Sequence, residues 1–489
     1  MALLVTVGSG RGRRTPAPAY PVLLILLAGC SFAPAHVRPP QPVPQSYAVS
    51  GSGSPSIASV GWQDFFREEQ LRGLIATALE NNRDIRIASA RVAEARAAWR
   101  IQGWALYPQL DAVTTGTRAR TPADLSLAGE AVTRSQIYAQ LSAGWEIDFW
   151  GRLRNLNMAA RAQYLVTEEA RRAVATDLIA QVANGYLLER EYDERAGLAA
   201  RTISTREESL RILRRRYEVG SGSKLEMTQA QMLLAQAQTA LQALDQDREV
   251  NRNALALLVG RSVDILPGPL RLAEAAPAMA LPAGLPSELL VNRPDIVAAE
   301  YALRAANANI GAARAAFLPN ISLTGAFGTA SSELDALFSG GSLSWNFTPT
   351  ISLPLFNAGR LAANVEVAKA RQVTAIASYE RTVQAAFRDV SDALVRRRQL
   401  DLQVGSTRSM LEALQERARL AQLRFENGRS AYLEVLDAQR DLFDTEQRLV
   451  QLRRAELASA VALYSALGGG FVQNPAVDMT AAGMGNSAQ

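Results

Sequence analysis

Cysteine and histidine are nearly missing from this sequence, with one of each in 489 residues. A single thiol cannot close a disulfide within the chain, and no Cys/His zinc site can be built, so no metal site is expected. The one histidine, His36, sits in a proline-rich stretch, a poor place for a general base. Ser–His and Cys–His catalysis are thereby excluded, and no enzyme or cofactor is expected. A basic stripe is missing too. The formal charge is +5, but Arg11, Arg13 and Arg14 lie in the first 29 residues, which carry no acid. The other bases alternate with Glu and Asp along helical stretches, which describes a solvated ion-pair surface and not a nucleic-acid groove.

What is present begins at the N-terminus. Arg11 to Arg14 precede the apolar run Val22-Leu23-Leu24-Ile25-Leu26-Leu27, and small residues Ala28 and Gly29 lead into Cys30. A basic region, a short apolar region and a small-residue exit describe a secretory signal over 1–29. The run is far shorter than the ~20 residues that span a bilayer. Residues 30–64 are rich in Pro, Ser and Gly, which predicts an extended tether with little core of its own.

An internal repeat organises the remainder. Asp84-Ile85 recurs as Asp295-Ile296 and Pro108 as Pro319; further on, Gly151-Arg152-Leu153 recurs as Gly359-Arg360-Leu361. Tyr217-Glu218-Val219-Gly220 matches Phe425-Glu426-Asn427-Gly428, and Leu225-Glu226 matches Leu433-Glu434. The spacing between copies shifts by a few residues between Pro108 and Gly151, which places one small insertion in a loop. The copies span 65–275 and 276–470, followed by a tail over 471–489.

Each copy opens with a helix (about 66–104 and 294–316) that proline ends at Pro108 or Pro319. Strands follow, over about 107–118 and 135–149, then 318–329 and 342–355, the first strand of each hairpin being the shorter and weaker. In the second strand Ile137, Ala139, Leu141, Ala143, Trp145, Ile147 and Phe149 alternate with mostly polar residues. Leu343, Trp345, Phe347 and Ile351 repeat the pattern. Exported strands of this length, with aromatics on one apolar face, fit a membrane sheet. Lipid cannot satisfy an open edge, and four strands are too few for a barrel, so several chains must pool their strands. Glu146 and Asp148 then fall on the lumen face, as a solvated wall or a cation-binding site.

Long proline-free helices follow, over about 152–216 and 224–260, then 361–426 and 430–467. Ile203, Leu210, Leu213 and Tyr217, and Leu411, Leu414, Ala418, Ala421 and Phe425, recur at spacings expected of a coiled-coil seam. Glycine-containing turns at Gly220 and Gly428 reverse the chain. The spacing thus gives a membrane β-barrel shared between chains and long coiled-coil helical hairpins, in two tandem repeats; the closing of these helices into an α-helical barrel is what the family resemblance carried by their turns implies.

Leu27-Ala28-Gly29-Cys30 resembles a lipobox, in which cleavage leaves Cys30 as a lipid acceptor; an incidental cysteine ending a signal is the plainer alternative. Arg424-Phe425-Glu426-Asn427-Gly428 and Tyr432-Leu433-Glu434-Val435-Leu436-Asp437-Ala438-Gln439-Arg440 carry the sharpest resemblance. With the repeat, they resemble the TolC-like outer-membrane factor family, in its lipidated branch serving resistance–nodulation–division efflux systems. The resemblance implies a homotrimer sharing a twelve-stranded barrel in outer-membrane lipid and a periplasmic helical tunnel. It also implies a periplasmic adaptor and an inner-membrane pump as partners.

By the same resemblance Leu433, Asp437 and Arg440 would gate the inner end, with Gln229 and Met232 at the matching places of the first copy. An ordinary pair on one helix face is the alternative for Asp437 and Arg440. Tyr217, Gly220, Leu225, Phe425 and Gly428 would shape the turns and dock the adaptor. A duct for protein secretion, or a periplasmic coiled-coil scaffold without a pore, stays open at this point. The lack of Met/His clusters argues against a copper-dedicated channel.

Overall fold

The computed structural model describes residues 32–44, 46–47, 60–127, 129–263, 272 and 289–469. The signal segment, Cys30 and the tail over 471–489 lie outside the described residues. At the end of the tether lies α1 (Trp62–Phe65), and the first copy contains α2 (Glu69–Asn81), α3 (Arg83–Trp104), β1 (Gln109–Thr121), β2 (Val132–Ile147), α4 (Arg152–Glu218) and α5 (Lys224–Val259). The second contains α6 (Leu289–Asn292), α7 (Pro294–Ala315), β3 (Asn320–Ser331), β4 (Leu343–Ser352), α8 (Arg360–Glu426) and α9 (Tyr432–Ala466). Among the described residues no helix is long and apolar enough to cross a membrane.

Two compact units emerge, and neither is a repeat copy. Among the described residues, one holds 32–36 and those within 100–159 and 306–370; the other holds those within 37–99, 160–305 and 371–469. Each copy contributes to both, so the repeat is a unit of sequence and not a domain.

In the first unit the strands form one antiparallel sheet in the order β1-β2-β3-β4. The two hairpins meet through β2 and β3, so the sheet joins the copies. Its registers are equivalent: Ala112 faces Leu141 in the first hairpin, and their counterparts Leu323 and Pro349 face each other in the second. The apolar positions line up across the strands, as in Leu110-Ala143-Gly325-Phe347 and Ala112-Leu141-Phe327-Trp345. The next rows are polar, such as Asp111-Ser142-Ala326-Asn346. Period-two alternation thus becomes two faces, and the apolar one is bare: Leu343, Trp345, Phe347 and Ile351 are all more than 60% exposed.

Strand lengths differ from expectation. In the first hairpin β1, with 13 residues, is shorter than β2 with 16, as expected, but in the second β3 has 12 residues and β4 only 10, so there the first strand is the longer. β4 ends at Ser352, short of Pro354, and carries Pro349, which lacks an amide donor and suits an edge strand. Glu146 and Asp148 also have another role. The Asp148 carboxylate accepts from the Leu153 and Arg154 amides at 2.9 and 2.8 Å, capping α4, and pairs with the Arg154 guanidinium. Glu146 pairs with Arg152 at 2.7 Å. Both carboxylates anchor the start of a helix where orphan amides need acceptors, in place of a free acidic wall.

The second unit is helical. α4 and α8 each have 67 residues, about 100 Å of helix at 1.5 Å per residue. Its main core gathers Ile75, Ile179, Val182, Tyr186, Leu255, Tyr379, Val383, Leu463 and Tyr464, from helices of both copies. The tether is part of it. Tyr47 stacks on Phe387 with ring centroids 5.1 Å apart, Phe65 stacks on Tyr464 at 4.3 Å, and Trp62 and Phe66 are buried. A proline-rich composition signals an extended backbone, but these aromatic rings still bury enough area to dock it. Where one helix was expected over 66–104 there are two. The Asn82 side chain accepts from the Asp84 and Ile85 amides at 2.7 and 3.1 Å and donates to the Leu258 carbonyl, ending one helix and starting the next.

Candidate functional site

The two helical hairpins end in turns of matching geometry. The Ser221 amide donates to the Arg216 carbonyl at 2.9 Å, and the Arg429 amide to the Arg424 carbonyl at 2.8 Å. Gly220 and Gly428 sit at φ +77° and +67°, a region in which a Cβ would be strained. The restarts differ. Ser223 caps α5, its hydroxyl accepting from the Leu225 amide at 3.1 Å while the Glu226 carboxylate accepts from the Ser223 amide. At the same place in the second copy stands Ala431, which offers α9 no side-chain acceptor.

One core closes the end of both hairpins. Leu210, Leu213, Ala230 and Leu233 of the first pack with Ala421, Tyr432, Val435, Leu436 and Ala438 of the second. Phe425 packs against it, its ring 4.7 Å from that of Tyr432 and with the Arg216 guanidinium 5.2 Å over it. Burial raises the Tyr432 hydroxyl pKa, with Ser209 opposing. Tyr217, expected in the seam, is exposed instead, as are Leu225 and Leu433. Phe425 and Gly428 thus hold the turn, whereas Tyr217 and Leu225 face outward beside Gly220.

Asp437 and Arg440 share one face of α9, Nη1 to Oδ1 at 3.5 Å. The stronger partner of Arg440 is Asp441, which accepts from Nη2 at 3.1 Å. Asp441 in turn accepts from Arg417 of α8 at 2.7 Å. A chain of charges Arg417–Asp441–Arg440–Asp437 therefore crosses from α8 to α9 and along it. The hydrogen bonds that Arg440 donates to Asp441 raise the Arg440 pKa, and the bond from Arg417 holds the Asp441 carboxyl below its ordinary range. Sequence reasoning missed Arg417 and Asp441. The signal was available, since their counterparts in the first copy are the uncharged Ser209 and Leu233. Every member of this chain has its charge in the second hairpin only.

A hollow of about 970 Å³ in this unit lies elsewhere and includes Arg293, Asp389, Arg396 and Arg454. Arg293 there is committed to packing: it pairs with Asp295 and Asp389 and donates to the Ala466 carbonyl. Among the described residues no group of three or more His, Cys, Asp or Glu is placed to hold a metal ion.

The comparisons agree with the repeat. The family profile described as "Outer membrane efflux protein" matches residues 74–261 and 285–469, one segment per copy. The cation efflux system protein CusC of Escherichia coli O6:H1 is 39% identical over 94% of this chain and 100% of its own length. The toluene efflux pump outer membrane protein TtgF of Pseudomonas putida is 43% identical over 92% of this chain and 96% of its own. Among solved structures, the open state of the MtrE outer membrane channel of Neisseria gonorrhoeae superposes with a TM-score of 0.84 at 38% identity, covering 90% of this chain and 98% of that one. A two-copy sheet and two equivalent helical hairpins, matched over nearly the whole length, place the chain in the outer membrane efflux protein family.

Proposed function

We propose that the chain is one stave of a homotrimeric exit duct, anchored in the outer membrane through a lipid on Cys30. It receives cargo through a periplasmic adaptor from an inner-membrane pump, and it does no chemistry of its own. The observation that carries this reading is the open sheet: four strands, one bare apolar face and two unpaired edges, β1 and β4. In lipid those edges must be paired, and three sheets edge to edge supply twelve strands, enough to enclose a lumen. The relatives move cations in one case and toluene in another, so cargo selection belongs to the pump and the duct is permissive.

The closed state is held at the hairpin ends. Leu433, Asp437 and Arg440 of three copies ring the axis, with Asp441 and Arg417 bracing Arg440 from behind. Exposed Tyr217 and Leu225 form the first hairpin's contribution to the adaptor surface. The test is planar-bilayer conductance of the detergent-extracted protein, wild type against Asp437→Ala/Arg440→Ala. The double variant is expected to conduct several-fold more; equal conductance dismisses these residues as a latch. A soluble monomer recovered without detergent would overturn the duct itself in favour of a periplasmic scaffold.

A further inference from the structure

Arg206 is out of place. It lies in the seam of α4, one turn before Leu210, and its counterpart in the second copy is Leu414, an ordinary seam residue. Yet it is only 2% exposed. Its Nη1 donates to the Leu233 carbonyl, and its guanidinium lies 5.2 Å over the Phe443 ring. The other edge of the group is unused: among the described residues no protein atom accepts from Nε or Nη2. Those two nitrogens carry the parallel N–H bonds of the guanidinium fork, the edge that matches a carboxylate or phosphate bidentately. A buried donor pair of this kind is costly when unmade. Burial accordingly lowers the Arg206 pKa, with only Asp444 opposing.

Beside Arg206 lies a cavity of about 300 Å³, walled by Leu198, Arg201, Phe443 and Glu446 among others. Gln439 also lines it, and its Oε1 is a second polar atom without a partner. The walls come from α4 in the first copy and from α8 and α9 in the second. We propose that this cavity is a binding site for a small organic carboxylate, and that the Nε/Nη2 edge of Arg206, itself shielded from solvent, turns onto the ligand to grip it. The mixed lining selects the class. Leu198, Leu442 and Phe443 would bury an apolar body, which inorganic phosphate does not have. Glu446, one wall of the site, disfavours a dianion more than a monoanion. Arg201 adds a second positive charge, and the Gln439 carbonyl can accept from a hydroxyl on the ligand. Because Leu414 replaces the arginine in the second copy, there is one site per chain. An occupant would tie α4 to α9 immediately behind Arg440, the neighbour of Gln439 in sequence. The site does not depend on the trimer or on the latch.

Calorimetric titration of the full-length protein in detergent tests it, with benzoate and inorganic phosphate as probes at constant ionic strength. Saturable benzoate binding is expected, weakened about tenfold or more in Arg206→Lys, which keeps the charge and loses the fork. Phosphate should bind more weakly than benzoate. Should the variant misfold, crystals of the wild type with 4-bromobenzoate give an independent reading, with anomalous bromine signal beside Phe443. The proposal is overturned if wild type shows no saturable benzoate binding at millimolar concentration, or if folded Arg206→Lys binds as wild type does. Tighter binding of phosphate, or bromine located elsewhere, overturns it as well. None of these outcomes touches conductance, so failure here and failure of the duct reading are distinguishable.

Discussion

Glu191 provides a test of what holds the two copies together. It sits in α4 with its side chain 4% exposed, accepting from Arg195 Nη1 of its own helix at 2.8 Å and from Arg454 Nε of α9 at 2.8 Å. Arg195 is further fixed by Gln447, also on α9. Glu191→Gln keeps the shape and removes the charge, turning an amide NH2 toward guanidinium donors. Each charge-assisted hydrogen bond contributes about 1.5–3 kcal/mol. The arginine side chains are 19% and 33% exposed and can recover part of this from water. The lower end of the range therefore applies, roughly 3 kcal/mol for two bonds. The assay is the urea midpoint of the helical circular dichroism signal, with detergent held constant. Glu208→Gln is the control, because its pair with Arg211 is 69% and 56% exposed and should leave the midpoint unmoved. A Glu191→Gln midpoint within about 0.5 kcal/mol of wild type would refute the view that this buried cluster stabilises the contact between copies.

Three further outcomes follow from particular residues. Ala431→Ser gives α9 the cap that Ser223 gives α5 and should stabilise the protein by about 1 kcal/mol, read from the same midpoint; no gain would show that the second turn cannot use a cap. At Gly328 an added Cβ would run into the Ala139 carbonyl oxygen, so Gly328→Ala should break the β2–β3 pairing and deplete the protein from outer-membrane fractions. Gly116→Ala, with nothing within 4 Å, should not. Asp441 has a lowered carboxyl pKa, so its pairing is present above the ordinary value of about 3.9 and is lost only as pH falls through the still lower folded value. Closed-state conductance should thus be the same at about pH 7.5 and about pH 5; opening centred between them would place the latch elsewhere.

The sheet and the long helices were legible because their signals are periodic. Leu141, Trp145, Phe347 and Ile351 alternate strictly, and Leu210, Leu213 and Ala421 recur on one helical stripe, so face and element followed from spacing alone. What was illegible depends on single contacts. Asn82 splits a helix through one side chain that satisfies two amides and one distant carbonyl, which no periodicity reports. Tyr47 and Trp62 were hidden by their proline-rich surroundings, since composition describes the backbone of a tether and not what its rings touch. Tyr217 fits the seam by spacing, but where its counterpart Phe425 meets the Tyr432 ring, the residue matching Tyr432 in the first copy is Lys224, and Tyr217 stays exposed. At the candidate latch, Asp437 and Arg440 were found by motif, but their link through Asp441 to Arg417 needs the packing of α8 on α9 to be seen.

The equivalent registers of the two hairpins carry a consequence for how such a chain can change length. A strand has two sides, and an odd number of residues added within it would send every following side chain through to the opposite side, setting oil against water. Only even steps preserve the sense of the wall, while a connecting loop is indifferent to parity. The difference in length between the copies has accordingly been absorbed where β1 turns into β2, and the strands on either side of it still face each other as their counterparts do. Extension of the outward loops is therefore the open route for variation in this protein, and the wall between them is closed to any odd step.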